Sequence, residues 1–219
     1  MAAPSRRQML RECLAIPAAF GLATSGAVSS CQILHNADLL SEESARGYRR
    51  LVAAIPTATC PRNLFIAAGF PDTSGALVSR LHKSLEHGAW LLWESSASFA
   101  PKESRAMSLE GFGIRTYAPS SVRITKSLYV QYRWPRTALI RTFASVVPID
   151  VRSLDQPIAF YDGQPVGGVR RIARGGVVFL GSMLGPHLQA GDREAEQFCR
   201  HLLASLSPYQ FVIEPSGRK

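Results

Sequence analysis

Residues 89–99 read AWLLWESSASF, an apolar run that empties into Ser95, Ser96 and Ser98. A serine at such a junction becomes a nucleophile when a histidine accepts its proton and a carboxylate orients that histidine. His187 is the one histidine of five that falls at a strand-to-helix loop, and Glu94 and Asp192 are the carboxylates within reach of such a scheme. The simpler reading has more support. Serines after a strand commonly satisfy turn hydrogen bonds, and no glycine flanks these serines as a strained nucleophile elbow requires. The expectation is therefore a binding site lined by Glu94, Ser96, Ser182 and His187. A serine hydrolase built on Ser95, Ser96 or Ser98 with His187 is the alternative.

Metal and redox chemistry find less support. His82 and His87 lie five apart on a helix and so on different faces, while His35 and His201 fall in unrelated segments. The four cysteines, Cys13, Cys31, Cys60 and Cys199, fit no zinc or haem spacing. No Gly-x-Gly-x-x-Gly opens a helix. No metal and no cofactor is expected.

The formal charge is +9 over 219 residues. Such a balance suits a polyanionic partner, but the basic residues are scattered, with no run longer than two, and no nucleic-acid-binding motif accompanies them. No nucleic-acid partner is expected.

Much of the remaining signal is in the N-terminus. Arg6, Arg7 and Arg11 precede a weakly apolar run from about Cys13 to Val28, followed by small residues. That is the layout of an export signal. Ser5-Arg6-Arg7-Gln8-Met9-Leu10-Arg11 is similar to the twin-arginine motif, with Met for Phe and Arg for Lys. The implied partner is the twin-arginine translocase. Val28-Ser29-Ser30-Cys31 resembles a lipobox, in which Cys31 becomes a lipidated first residue and a membrane anchor; Ala27-Val28-Ser29 is the competing cleavage site. The expected division is a signal over 1–31 and one domain over 32–219, at the cell envelope. Cys60 and Cys199 then remain in the domain, where an oxidising compartment would allow them to pair.

The elements that must position the site follow from periodicity. Ser41 to about Ile55 reads as a helix capped by Ser41 and stopped by Pro56. Leu64–Gly69 is a buried strand, and Ser74 caps a helix carrying Leu77, Leu81 and Leu85 that ends at Gly88. Ala89–Trp93 is the next strand, which completes a βαβ unit with parallel strands. Trp90 and Trp93 point to opposite faces. Residues 95–121 read as a long loop with a short strand near 113–117. Leu128, Val130 and Tyr132 alternate with polar neighbours as a half-buried strand does. Ser145–Ile149 is another strand, and Asp162-Gly163 turns a hairpin. Val177–Gly181 is a buried strand, and Asp192–Leu206 an amphipathic helix with Phe198, Leu202, Leu203 and Leu206 inward.

Two stretches carry a resemblance: LFIAAGF…LVSRLHKSLEHGAWLLWESS, and PIAFYDGQPVGGVRRIARGGVVFLGSMLG before the last helix. Together they resemble the class I glutamine amidotransferase-like fold, in its ThuA-like and β-galactosidase middle-domain branches, over roughly residues 62–206. Arg174-Gly175-Gly176-Val177 stands where those families carry Gly-[Arg/Lys]-Gly-x-Val, in altered order. The resemblance implies an α/β domain: three layers, a mainly parallel central sheet and an antiparallel hairpin near the C-terminus. It also implies no glutaminase activity, because residues 93–98 lack the Gly-x-Cys-x-Gly elbow and residues 180–187 lack His-Pro-Glu. The expected function is a non-catalytic ligand-binding or accessory module with an unidentified envelope ligand. Its site would lie at the carboxyl ends of the strands, lined by residues 95–112 and 182–187.

Overall fold

The structure, a computed structural model, describes residues 30–56, 59–61, 63–69, 75–96, 111–117, 120–121, 128–142 and 145–206. Arg6, Arg7 and Ser98 lie outside the described residues, as do the Ser74 cap and most of the 95–112 loop.

From its first helix onward the first half is built as the periodicity predicts, whereas the strand before that helix is not among the expected elements. Strand β1 (Ser30–His35) leads into helix α1 (Leu39–Ala53), then β2 (Asn63–Ala68), helix α2 (Gly75–Glu86) and β3 (Trp90–Glu94). β1, β2 and β3 pair in parallel, in that order. Gly88 makes the turn from α2 into β3 at φ +94°, a conformation that favours glycine. α1 starts earlier than expected. Asp38 is its cap, accepting from the Leu40 amide at 2.9 Å. Ser41 is instead buried, and its hydroxyl donates to the Ala68 carbonyl at the end of β2.

The second half runs through β4 (Ser120–Ser121), β5 (Tyr129–Tyr132), β6 (Ala138–Arg141), β7 (Ser145–Val146) and a 3-10 turn at Val151–Ser153. It continues with β8 (Gln156–Tyr161), β9 (Gln164–Ile172), β10 (Gly175–Leu180), α3 (Gly185–Ala190) and α4 (Arg193–Ser205). The Asp162-Gly163 turn joins β8 to β9, with both residues at positive φ as a tight hairpin turn demands. The strand expected at 145–149 shrinks to β7, which pairs only with β4 in a separate two-stranded sheet. Near residues 113–117 there is a single antiparallel bridge, Thr116 to Ile149, rather than a strand.

The main sheet has eight strands in the order β1-β2-β3-β10-β9-β8-β5-β6. This corrects the expected three-layer domain on a mainly parallel sheet: the sheet is curved and mostly antiparallel. Three neighbour pairs are parallel, and the four from β10 to β6 are antiparallel. The physical reason lies in β10. Its run Val177–Leu180 is apolar throughout because both faces are covered, which reads as a parallel strand, yet one of its two edges takes an antiparallel partner.

Each face of the sheet carries its own core. On one, Tyr48 and Leu51 of α1 and Phe198, Leu202 and Leu203 of α4 pack over Ile66, Leu92, Trp90 and Val178. On the other, Leu81 and Leu85 of α2 pack with Phe112, Ile114 and Ile149 over Leu91, Trp93 and Phe179. Trp90 and Trp93 thus divide between the faces, as strand alternation requires. α1 and α3 approach closely because both carry glycine at the crossing. A Cβ on Gly47 would overlap the Gly185 carbonyl and lie 2.8 Å from the Gln189 amide. No described helix is long and apolar enough to cross a membrane.

Candidate functional site

Glu94 closes β3 with its side chain fully buried. Its carboxylate accepts four hydrogen bonds: from the Ser44 hydroxyl, from Tyr48 Oη at 2.8 Å, and from the Leu184 and Gly185 amides at 2.9 and 3.1 Å. Two donors come from α1 and two from the start of α3, so one carboxylate ties both helices to the end of a strand. Burial pushes the carboxyl above the usual range, against the pull of its four donors. Burial, and then the neighbouring Glu94, hold the Tyr48 phenol well above its ordinary value.

Ser95 continues the sheet. Its amide donates to the Leu180 carbonyl at 2.8 Å. Its hydroxyl is enclosed, with no hydrogen-bond partner among the described residues. Ser96 is also buried. Ser182 follows β10, the parallel neighbour of β3, and so sits at the same edge. Its Oγ lies 2.8 Å from Tyr132 Oη, spanning from β10 to β5. His187 is in α3, where its Nδ1 lies 3.1 Å from Asp192 Oδ2. The other oxygen of Asp192 caps α4, accepting from the Glu194 and Ala195 amides at 2.9 and 3.3 Å.

The edge expected to hold a site thus gathers Glu94, Ser95, Ser96 and Ser182, with His187 on the helix that follows. Ser44 and Tyr48 join this site although periodicity does not single them out, and Tyr132 joins it through Ser182. Ser44 and Tyr48 stand four apart on α1, the spacing of one helix face, but only the packed fold shows that this face meets Glu94. Tyr129 is exposed, Tyr132 is buried against Phe198, and Trp134 packs on the core.

The three described cysteines are free thiols. Cys31 is the second residue of β1, opposite Leu64, and its thiol is pushed up to about 12 by burial and then by nearby Cys60. Cys199 is fully enclosed on α4, where burial, followed by Glu94, raises its thiol well above the usual value. Among the described residues, no group of three or more His, Cys, Asp or Glu is placed to hold a metal.

The sequence matches no family model and no curated protein. Its fold does resemble solved structures at low identity. The β-galactosidase from Rahnella sp. R3 superposes with a TM-score of 0.55 at 17% identity, covering 81% of this chain and 30% of that one. The β-galactosidase of the Antarctic haloarchaeon Halorubrum lacusprofundi gives 0.51 at 14%, over 80% and 31%. An exo-β-1,4-mannosidase from Opitutaceae bacterium strain TAV5 gives 0.51 at 15%, over 82% and 36%. This chain therefore spans about a third of the length of these enzymes. By fold, then, the chain resembles a part of these β-galactosidases, at identities that show the fold alone.

Proposed function

We propose that this chain is a non-catalytic binding or accessory module of the cell envelope. In this reading it is exported by the twin-arginine translocase and anchored through Cys31. The Glu94–Ser95 junction carries the non-catalytic part. Where an enzyme of this general fold would need an accessible nucleophile, the carboxylate is spent on four structural hydrogen bonds and the adjacent hydroxyl is enclosed. A nucleophile must reach its substrate within about 3–3.5 Å, and Ser95 has no exposed surface. The ligand site is the same strand edge, around Ser96, Ser182 and His187. That the similar enzymes act on glycosides makes a carbohydrate-related ligand the first class to test, although fold does not set function.

One observation favours the hydrolase reading. The His187–Asp192 pair at 3.1 Å has the chemistry of the orienting half of a triad. A fluorophosphonate probe separates the two readings. The folded chain is expected to remain unlabelled by mass spectrometry. Stoichiometric labelling of Ser95, Ser96 or Ser98 that is lost in His187→Ala makes the protein a hydrolase.

A further inference from the structure

The opposite end of the strands carries a second feature. Arg80, Lys83 and Ser84 share one face of α2, and His87, just past its end, continues the i, i+3, i+4, i+7 spacing. Together with Asn63 and Phe65 of β2 they line an open groove of about 400 Å³, a size suited to a small organic ligand. Asn63 begins β2 whereas Glu94 ends the parallel strand β3, so this groove and the Ser96–His187 edge lie at opposite ends of the strands. The groove's chemistry is one-sided. No carboxylate lines it, and among the described residues neither Arg80 nor Lys83 forms an ion pair.

The hydrogen bonds already made define what is left for a ligand. In the uncleaved chain Ser30 Oγ donates to Asn63 Oδ1 at 3.0 Å, and with or without that contact the Asn63 amide nitrogen is left as a donor. His87 Nδ1 donates to the Lys83 carbonyl at 2.6 Å, which leaves Nε2. Ser84 Oγ donates to the Arg80 carbonyl at 3.0 Å, so its oxygen can accept from a ligand hydroxyl. Two cations and an amide donor suit an anion with several acceptor oxygens. The free serine acceptor and the half-buried Phe65 ring suit a hydroxylated organic group attached to it.

We propose that this groove binds a phosphate ester: the phosphate on Arg80, Lys83 and Asn63, and the hydroxylated group against Ser84 and Phe65. The ester could come from a soluble polyol phosphate or from a phospholipid headgroup, and the test has an arm for each. The proposal does not depend on the function proposed above.

The full chain is titrated calorimetrically with glycerol 1-phosphate. In parallel it is sedimented with phosphatidylcholine vesicles, with and without phosphatidylglycerol. Binding in at least one arm is expected. It should fall by about tenfold or more in Arg80→Gln/Lys83→Gln and disappear in Asn63→Asp, which puts a carboxylate in the groove. Arg46→Gln/Arg193→Gln removes the same charge from exposed positions on other helices and should bind as the parent does. Circular dichroism confirms that each variant is folded. Saturable binding of glycerol 1-phosphate identifies a soluble source, and binding confined to phosphatidylglycerol vesicles identifies a headgroup. No binding in either arm, or an equal loss in both double variants, overturns the proposal.

Discussion

Tyr48 and Glu94 lie 46 residues apart and meet in the core, with the phenol donating to the carboxylate at 2.8 Å. Neither has measurable exposure. With the Ser44 hydroxyl and two α3 amides on the same carboxylate, this contact joins α1, β3 and α3. A buried charge is tolerated only when its acceptor positions are filled in this way.

Glu94→Gln turns one acceptor into a donor that faces other donors. It should lower stability in urea unfolding by about 2–3 kcal/mol. The loss should depend on pH. Because burial holds the folded carboxyl above its unfolded value, the wild type gains stability as the pH falls below the raised folded value and loses it as the pH rises through that value. The glutamine variant has no such term. The penalty should therefore be larger near about pH 5 than near about pH 8, and equal penalties at both would refute the assignment.

Gly47→Ala tests the α1–α3 crossing. Its methyl has nowhere to go against the Gly185 carbonyl, and overpacking of this kind costs about 2 kcal/mol. Gly75→Ala faces open space and should stay within about 0.5 kcal/mol of the parent or exceed it. Thermal midpoints of the two variants provide the comparison.

Tyr132→Phe removes one partner of the β5–β10 link to Ser182. A loss of about 1 kcal/mol is expected, with the ring still packed on Phe198. A denaturation curve superimposable on the parent's would mean the link contributes nothing.

Cys199 should resist alkylation in the native chain and react once urea is added, because it is enclosed and its thiol is held well above the usual value. A native Cys60–Cys199 disulfide would instead appear as a linked peptide in a non-reducing digest.

The export reading makes its own prediction. Arg6→Lys/Arg7→Lys should leave uncleaved precursor inside the cell, whereas Cys31→Ser should be exported but lost from the membrane fraction. If the double lysine variant is exported normally, the twin-arginine reading fails.

Local signals carried the elements that are long or sharply bounded. The βαβ unit, the Asp162-Gly163 hairpin and the last helix, capped by Asp192 as its opening acids suggest, follow from periodicity and turn chemistry within short windows. β6 and α3 escaped because they are brief. Four residues of alternating burial and a six-residue Gly-Pro helix give too little repetition to register. β1 escaped because an export signal and an edge strand share the same small and apolar residues around 28–35.

What only the tertiary structure decided is which strands become neighbours, because pairing is set by contacts far apart in sequence. The order β3-β10-β9 makes the sheet mostly antiparallel although its apolar runs read as parallel. The same nonlocal packing turns Glu94 into a core tie through Ser44 and Tyr48. It also sets the basic face of α2 over Asn63 and Phe65. By itself the sequence determined the local elements and the types of residue at each strand end; the meeting of distant chain segments determined what those residues are free to do.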